Sequence, residues 1–293
     1  MATLAQWVEG ARPRTLPTAV SPVIAGTGAA IGYGVVNPGH AVLALLVAVA
    51  LVVGVNYAND YSDGIRGTDD ERVGPLRLVG SRLAAPTTVR LAAFVCFAVA
   101  GLAGLTLVSL SAQWWLIAVG AVCVAGAWFY TGGPRPYGYA GFGELAVFVF
   151  FGPVAVLGTV VTQSGPPGPL AVVTSIAIGM LTCAVLVANN LRDIPTDEAV
   201  GKRTLAVLLG DRDTRRLYVA LVVAPFAFSL LAGLRSWPML LGLLAIPLAA
   251  IPARTVLGGA TGRELIAVLA RTSLLLLAWS VLTGVGLAVG RFV

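Results

Sequence analysis

Residues 41–63 read AVLALLVAVALVVGVNYANDYSD. From Ala41 to Val55 no side chain is charged or polar, and then Asn56, Asn59, Asp60 and Asp63 arrive together. An apolar run approaching the roughly 20 residues that cross a hydrocarbon core is read as a membrane span. The carboxylates crowded at its end are the first sign of chemistry.

The pattern recurs along the chain. Of 293 residues, 58% are apolar and only 11% charged, and the mean hydropathy is +0.90. That composition lies outside the soluble globular range, since too few polar residues remain to cover a water-facing surface. Apolar stretches at 15–33, 41–57, 89–110, 114–130, 145–162, 171–191, 217–234, 238–251 and 265–289 predict nine helices, the eighth being short. Pro17, Pro22, Pro153, Pro225 and Pro247 fall inside several of them, which membrane helices tolerate because neighbours re-satisfy the freed backbone groups.

Lys and Arg near span ends favour the cytoplasmic side. Arg12 and Arg14 precede span one; Arg66, Arg72, Arg77, Arg82 and Arg90 follow span two; Arg135 follows span four; Arg192, Lys202, Arg203, Arg212, Arg215 and Arg216 follow span six; Arg254, Arg263 and Arg271 follow span eight. Arg235 and Arg291 alone lie opposite, and every Asp and Glu shares the basic side. This places the N-terminus and the acidic loops in the cytoplasm and the C-terminus outside, in a multi-pass protein of the cell (inner or plasma) membrane. The interrupting Pro17 and Pro22, with no convincing cleavage site after them, read span one as retained rather than as a signal peptide. Cys96, Cys123 and Cys183 lie in apolar spans without ligand-like spacing and read as small buried hydrophobes. The lone His40 falls on the outer side, away from the acidic loops. The partners expected are a lipid bilayer and small substrates, with no nucleic acid.

The acidic loops repeat. Asn56, Asp60 and Asp63 fall at i, i+4 and i+7, while Asn189, Asp193 and Asp197 fall at i, i+4 and i+8. If each span continues as a helix into its loop, each set lines one face. Pro195 argues against that continuation for Asp197, which would then sit on a loop just beyond the helix end. Short apolar stretches ending in glycine follow both motifs, at 75–80 and 204–210, and suggest small cap helices. One transmembrane domain over 1–293 is expected, built as a pseudo-repeat of roughly 15–130 and 145–251 plus a last helix at 265–289.

Carboxylates packed this closely repel one another and are costly to desolvate unless a cation neutralises them. Hard oxygen ligands beside amides suit Mg²⁺, which takes one or two carboxylates and completes its octahedron with water and phosphate oxygens. For one cluster, a solvated acidic loop is an equal reading. The second cluster, followed by Gly201-Lys202-Arg203-Thr204, favours a diphosphate held by magnesium and hydrogen-bonded by cations; a purely structural ion-pair network is the alternative. Tyr57, Tyr61, Trp128, Phe129, Tyr130, Tyr137 and Tyr139 flank the basic face. For most of them an interfacial belt is the simpler reading, although aromatic faces also stabilise a cation left behind when diphosphate departs. Tyr130, beside the loop at 131–139, is the best placed of them.

With those residues in view, the chain resembles the UbiA superfamily of intramembrane aromatic prenyltransferases, and within it the MenA branch, which acts on 1,4-dihydroxy-2-naphthoate. The resemblance runs through Arg12-Pro13-Arg14-Thr15-Leu16-Pro17 with Ser21-Pro22-Val23, and Asn59-Asp60-Tyr61-Ser62-Asp63. It continues through Tyr130-Thr131-Gly132-Gly133-Pro134 with Gly141-Phe142-Gly143-Glu144, and Asn189-Asn190-Leu191-Arg192-Asp193 with Gly201-Lys202-Arg203-Thr204-Leu205-Ala206-Val207. It implies an all-α integral membrane fold, a UbiA-like bundle of nine transmembrane helices with cytoplasmic cap loops carrying two Asp-rich motifs. It also implies Mg²⁺-dependent transfer from a polyprenyl diphosphate. Metal binding carries over to Asp60, Asp63, Asp193 and Asp197, with Asn56 and Asn189 in support, and these aspartates with Tyr130 form the expected catalytic set. Substrate contacts are expected from Arg14, Asn56, Asn59, Arg66, Arg135, Tyr137, Asn189, Asn190, Arg192, Lys202 and Arg203, and Glu144 is a further guess for the head-group pocket. The wider superfamily often reads DxxDxxxD in its first motif; here Gly67 stands third, with Asp69 and Asp70 just beyond. Another aromatic acceptor such as 4-hydroxybenzoate would share this apparatus, and a secondary transporter would also show an internal repeat.

Overall fold

A computed structural model describes residues 2–68 and 76–292. Among these residues the secondary structure is entirely helical: α1 (Leu4–Gly10), α2 (Pro17–Gly32), α3 (Pro38–Arg66), α4 (Pro86–Ser111), α5 (Leu116–Phe129), α6 (Gly143–Val149), α7 (Ala155–Ser164), α8 (Pro169–Ala199), α9 (Leu205–Gly233), α10 (Ile246–Leu257) and α11 (Gly262–Val289). The sequence explains the boundaries. Proline occupies the first position of α2, α3, α4 and α8, where its missing N–H costs nothing. Asn37 accepts from the His40 amide at 3.2 Å to cap α3, and Gly67, at φ 72°, closes its other end.

All nine expected apolar stretches are helical. Seven helical stretches are long and apolar enough to cross a membrane, with α6 continuing into α7 through a π turn at Phe150–Val154, and a 3₁₀ segment at Trp237–Ala245 extending α10. The other two, α2 with 16 residues and α5 with 14, fall short of that length.

At the centre stands α8, the most buried of the spans. It packs against α9, α11, α2 and α6, and its small residues Ala177, Ala184 and Ala188 are fully enclosed. In lipid such packing rests on close backbone approach rather than on hydrophobic expulsion. The tightest case joins α2 to α11, where a Cβ on Gly28 would lie 2.3 Å from the carbonyl oxygen of Gly284. Gly28→Val is therefore expected to force the two helices apart at a cost of about 3 kcal/mol or more. Thermal unfolding in detergent checks this, and an unchanged midpoint would refute the contact.

Two local expectations are corrected. The helix α8 runs through Pro195 to Ala199, so Asp197 is helical and in register with Asn189 and Asp193. The ring forfeits one backbone bond, to Leu191, close to the helix end where few bonds remain to be lost. Of the first expected cap helix, 76–80 forms turns and not a helix. A segment this short cannot offset helix nucleation, and its amides bind a side chain instead, as described below. Pro75, Asp69 and Asp70 lie outside the described residues. The second cap does form, as the first turns of α9, with Thr204 accepting from the Val207 amide at 3.4 Å and a break at Gly210, φ 73°.

Candidate active site

The last turns of α3 carry the first motif, and Asn56, Asn59, Asp60 and Asp63 are all buried there. Asp60 accepts from the amides of Leu78 at 2.7 Å and Val79 at 3.1 Å, one on each carboxylate oxygen. Asn56 donates to the Ala11 carbonyl at 2.9 Å and to Thr15 Oγ1 at 3.1 Å, tying α3 to the link between α1 and α2. Asn59 accepts from Thr131 Oγ1 at 2.8 Å. Asp63 accepts from the Tyr139 hydroxyl at 2.6 Å, and its other oxygen lies 3.6 Å from the buried Arg77 guanidinium.

The second motif lies on α8. Arg192 grips Asp193 with two parallel bonds of 2.7 and 2.9 Å and donates to Asn189 Oδ1 at 2.9 Å. Such a planar, bidentate pair is strong and geometrically specific. Asn189 also donates to Asp193 at 3.3 Å, and Asn190 donates to Glu144 Oε1 at 2.9 Å. Lys202 Nζ stands 3.4 Å from Asp197.

Between the motifs runs the segment 130–142. Arg66, exposed at the end of α3, spends its guanidinium on the carbonyls of Thr131 and Gly133. Tyr137 donates to the Gly126 carbonyl at 2.6 Å, and burial pushes its phenol up to about 12. The Tyr139 phenol is also raised, by burial first and then by the Asp63 carboxylate, so it remains a donor at neutral pH. The Tyr130 ring meets that of Tyr137 edge-on, with centroids 5.5 Å apart. Gly138 and Gly143 leave room for the Tyr130 side chain, since a Cβ at Gly138 would lie 3.2 Å from the ring and one at Gly143 would lie 3.1 Å from the hydroxyl oxygen. Arg14, Arg135 and Arg203 are exposed.

Below these groups opens a cavity of about 920 Å³. Asn56, Asn59, Asn189, Tyr130, Tyr137 and Arg12 contribute its polar wall, and apolar side chains from α2 to α8 form most of the rest. Its α3 wall runs from Asn59 back to Ala44, about 22 Å of helix at 1.5 Å per residue. The cavity is thus a long apolar slot headed by residues of both acidic motifs.

Among the described residues, no three His, Cys, Asp or Glu side chains cluster closely enough to hold a metal alone. That still suits Mg²⁺, which needs only one or two carboxylates when phosphate oxygens and water complete the shell. The four aspartates are not equivalent in this respect. Both oxygens of Asp60 are committed to amides and both of Asp193 to Arg192, whereas Asp63 and Asp197 face cations at the longer 3.6 and 3.4 Å. A further sign of an anionic ligand is the second guanidinium nitrogen of Arg192, buried and without a hydrogen-bond partner.

The sequence pattern of the UbiA prenyltransferase family matches residues 19–275. The chain belongs to the UbiA prenyltransferase family. Among UbiA relatives it is 59% identical over 291 residues to the 1,4-dihydroxy-2-naphthoate octaprenyltransferase of Mycobacterium tuberculosis, with 99% of each chain covered. To the protein of the same name from Mycobacterium leprae it is 56% identical over 281 residues, covering 96% of this chain and 95% of that one. A UbiA homologue from Archaeoglobus fulgidus, in a structure bound to GPP and Mg²⁺, shares the fold with a TM-score of 0.69 at 14% identity, covering 95% of this chain and 99% of that one.

Within this UbiA site, Tyr139, Thr131 and Arg77 are functional candidates that the sequence did not single out. Their partners are distant in the chain, 76 residues away for Tyr139 and 72 for Thr131. The aromatic cluster around Tyr137 hinted at Tyr139, and the 130–134 stretch contained Thr131 without giving it a role.

Proposed function

We propose that the protein transfers a polyprenyl group from a polyprenyl diphosphate to 1,4-dihydroxy-2-naphthoate, releasing diphosphate and carbon dioxide and giving demethylmenaquinol for menaquinone synthesis. The observation that carries this reading is the slot, which has asparagines of both acidic motifs at its head and hydrocarbon walls along its length. The acceptor is supported by the near-complete match to mycobacterial relatives bearing that activity in their names.

The chain's own residues divide the work. Asp63 and Asp197 would hold Mg²⁺, with Asp60, Asp193, Asn56 and Asn189 setting the local field and geometry. Mg²⁺ would supply charge neutralisation for the departing diphosphate. Arg192, Lys202 and Arg203 would hydrogen-bond the remaining diphosphate oxygens, with Arg14, Arg66 and Arg135 adding field from the rim. The bond between the prenyl C1 and oxygen breaks with its electron pair going to diphosphate. The ring carbon bearing the carboxylate attacks C1, and loss of that carboxylate as CO₂ returns the electrons of its C–C bond to the ring, so no net proton is needed. Tyr130 would face the allylic cation, and the apolar slot keeps water from it.

The same reading places nine spans in the membrane, including the shorter α2 and α5, with the acidic motifs cytoplasmic. Pairing of α3 with α4 and of α8 with α9 supports the two-halved architecture. The test is to mix purified protein in detergent with Mg²⁺, a polyprenyl diphosphate and 1,4-dihydroxy-2-naphthoate. Mass spectrometry should find a prenylated, decarboxylated product that disappears with chelator. Product from 4-hydroxybenzoate alone would keep the chemistry and overturn the acceptor; no product from any aromatic acceptor would overturn both.

A further inference from the structure

We infer that Tyr139 is a positioning residue that fixes the metal-binding face of Asp63 and holds the two acidic motifs in register, an inference that rests on the diphosphate reading above. The Tyr139 side chain contacts Asp63 of the first motif together with the cation that closes that motif and the one that follows the second. Its hydroxyl donates to Asp63 Oδ1 at 2.6 Å and lies 3.4 Å from Thr68 Oγ1. Its ring has the Arg66 guanidinium 5.5 Å from the centroid and the Lys202 ammonium 5.0 Å away. Its backbone carbonyl accepts from the Arg203 amide at 3.1 Å. The hydroxyl and the ring have different consequences.

The hydroxyl bond occupies Oδ1 of Asp63 and so orients the carboxylate, leaving Oδ2, on the Arg77 side, as the oxygen presented to a cation. The cation–π contacts act on the two flanking loops. Arg66 closes the first motif and Lys202 follows the second, and Lys202 in turn pairs with Asp197. The ring therefore sets the distance between a carboxylate of one motif and the ammonium that neutralises a carboxylate of the other. Neither contact requires Tyr139 to touch substrate.

Substitution separates the two roles. Tyr139→Phe keeps the ring and deletes the hydroxyl, while Tyr139→Leu deletes both. The first readout is Mg²⁺-dependent binding of a non-reactive prenyl thiodiphosphate by calorimetry, and the second is the split between KM and kcat. For Y139F we expect the Mg²⁺ concentration at half-maximal binding to rise about tenfold, as loss of one charge-assisted bond implies, with analogue affinity at saturating Mg²⁺ nearly unchanged. For Y139L, analogue affinity should also fall about tenfold at saturating Mg²⁺. An unaltered Mg²⁺ response in Y139F, which keeps the packing of the ring, would overturn the assignment even if Y139L fails to fold. Identical behaviour of Y139F and Y139L would overturn the role of the ring. Wild-type protein that binds no thiodiphosphate at any Mg²⁺ concentration would overturn the diphosphate reading, and this inference with it.

Discussion

Asp193→Ala is expected to abolish prenyl transfer, lowering kcat by about 10³-fold or more, and to destabilise the fold as well. The two losses have separate causes. Arg192 is clamped on Asp193 and its side chain is 1% exposed, so removing the carboxylate strands a buried guanidinium at a cost of about 3–5 kcal/mol. Activity is lost because the field that aligns Arg192 and Asn189 at the head of the slot collapses. The double variant Arg192→Met with Asp193→Leu replaces the pair by apolar groups and should recover most of the stability, as buried ion pairs often tolerate such exchange. It should remain inactive. Thermal unfolding and turnover, measured in parallel, decide the matter, and a D193A protein with normal turnover would remove Asp193 from the site.

The second large effect is expected at Asp60, and here the structure changes the reason. Its carboxylate receives two backbone N–H groups from the turn at 76–80, an arrangement that anchors the loop whether or not metal is present. Asp60→Ala leaves two buried donors without an acceptor, at about 1–3 kcal/mol each. Asp60→Asn retains one acceptor oxygen and should fall between the alanine variant and the wild type. The measurement is limited proteolysis at Arg77 and Arg82 in metal-free detergent solution. Faster cleavage in D60A is expected, together with loss of transfer activity. Cleavage at the wild-type rate would mean that the loop is held by something else and would return Asp60 to a purely electrostatic role.

Much of this molecule could be read in its sequence, and the boundary of legibility has a physical cause. Hydropathy located every helix that encloses the slot because burial in lipid is a property of long local windows. Spacing put Asn56, Asp60 and Asp63 on one helical face because a helix converts local separation into direction. Pro195 misled for the same local reason: its penalty is real, but α8 bears it near its end. The cap at 75–80 misled because apolar character fitted a short helix, whereas the amides of Leu78 and Val79 bind Asp60. Tyr139 was invisible as more than one aromatic among several, since its partners are brought to it only by the folding of three separate segments. Arg192 shows the limit from the other side. The sequence offered it as a ligand for diphosphate, yet most of its donors are used within its own helix.

The unbroken course of α3 has a consequence for what the enzyme can select. A single helix with no proline beyond its first position carries Asp63 at one end and the slot wall back to Ala44 toward the other, so on the proposed reading the reacting bond and the first isoprene units would be registered on one rigid rail. No hinge lies between them with which to gauge the remainder of a longer donor. Discrimination should therefore saturate after the units that fill the rail, and longer tails should compete as equals, leaving the membrane's own pool of donors to decide the length of the quinone side chain.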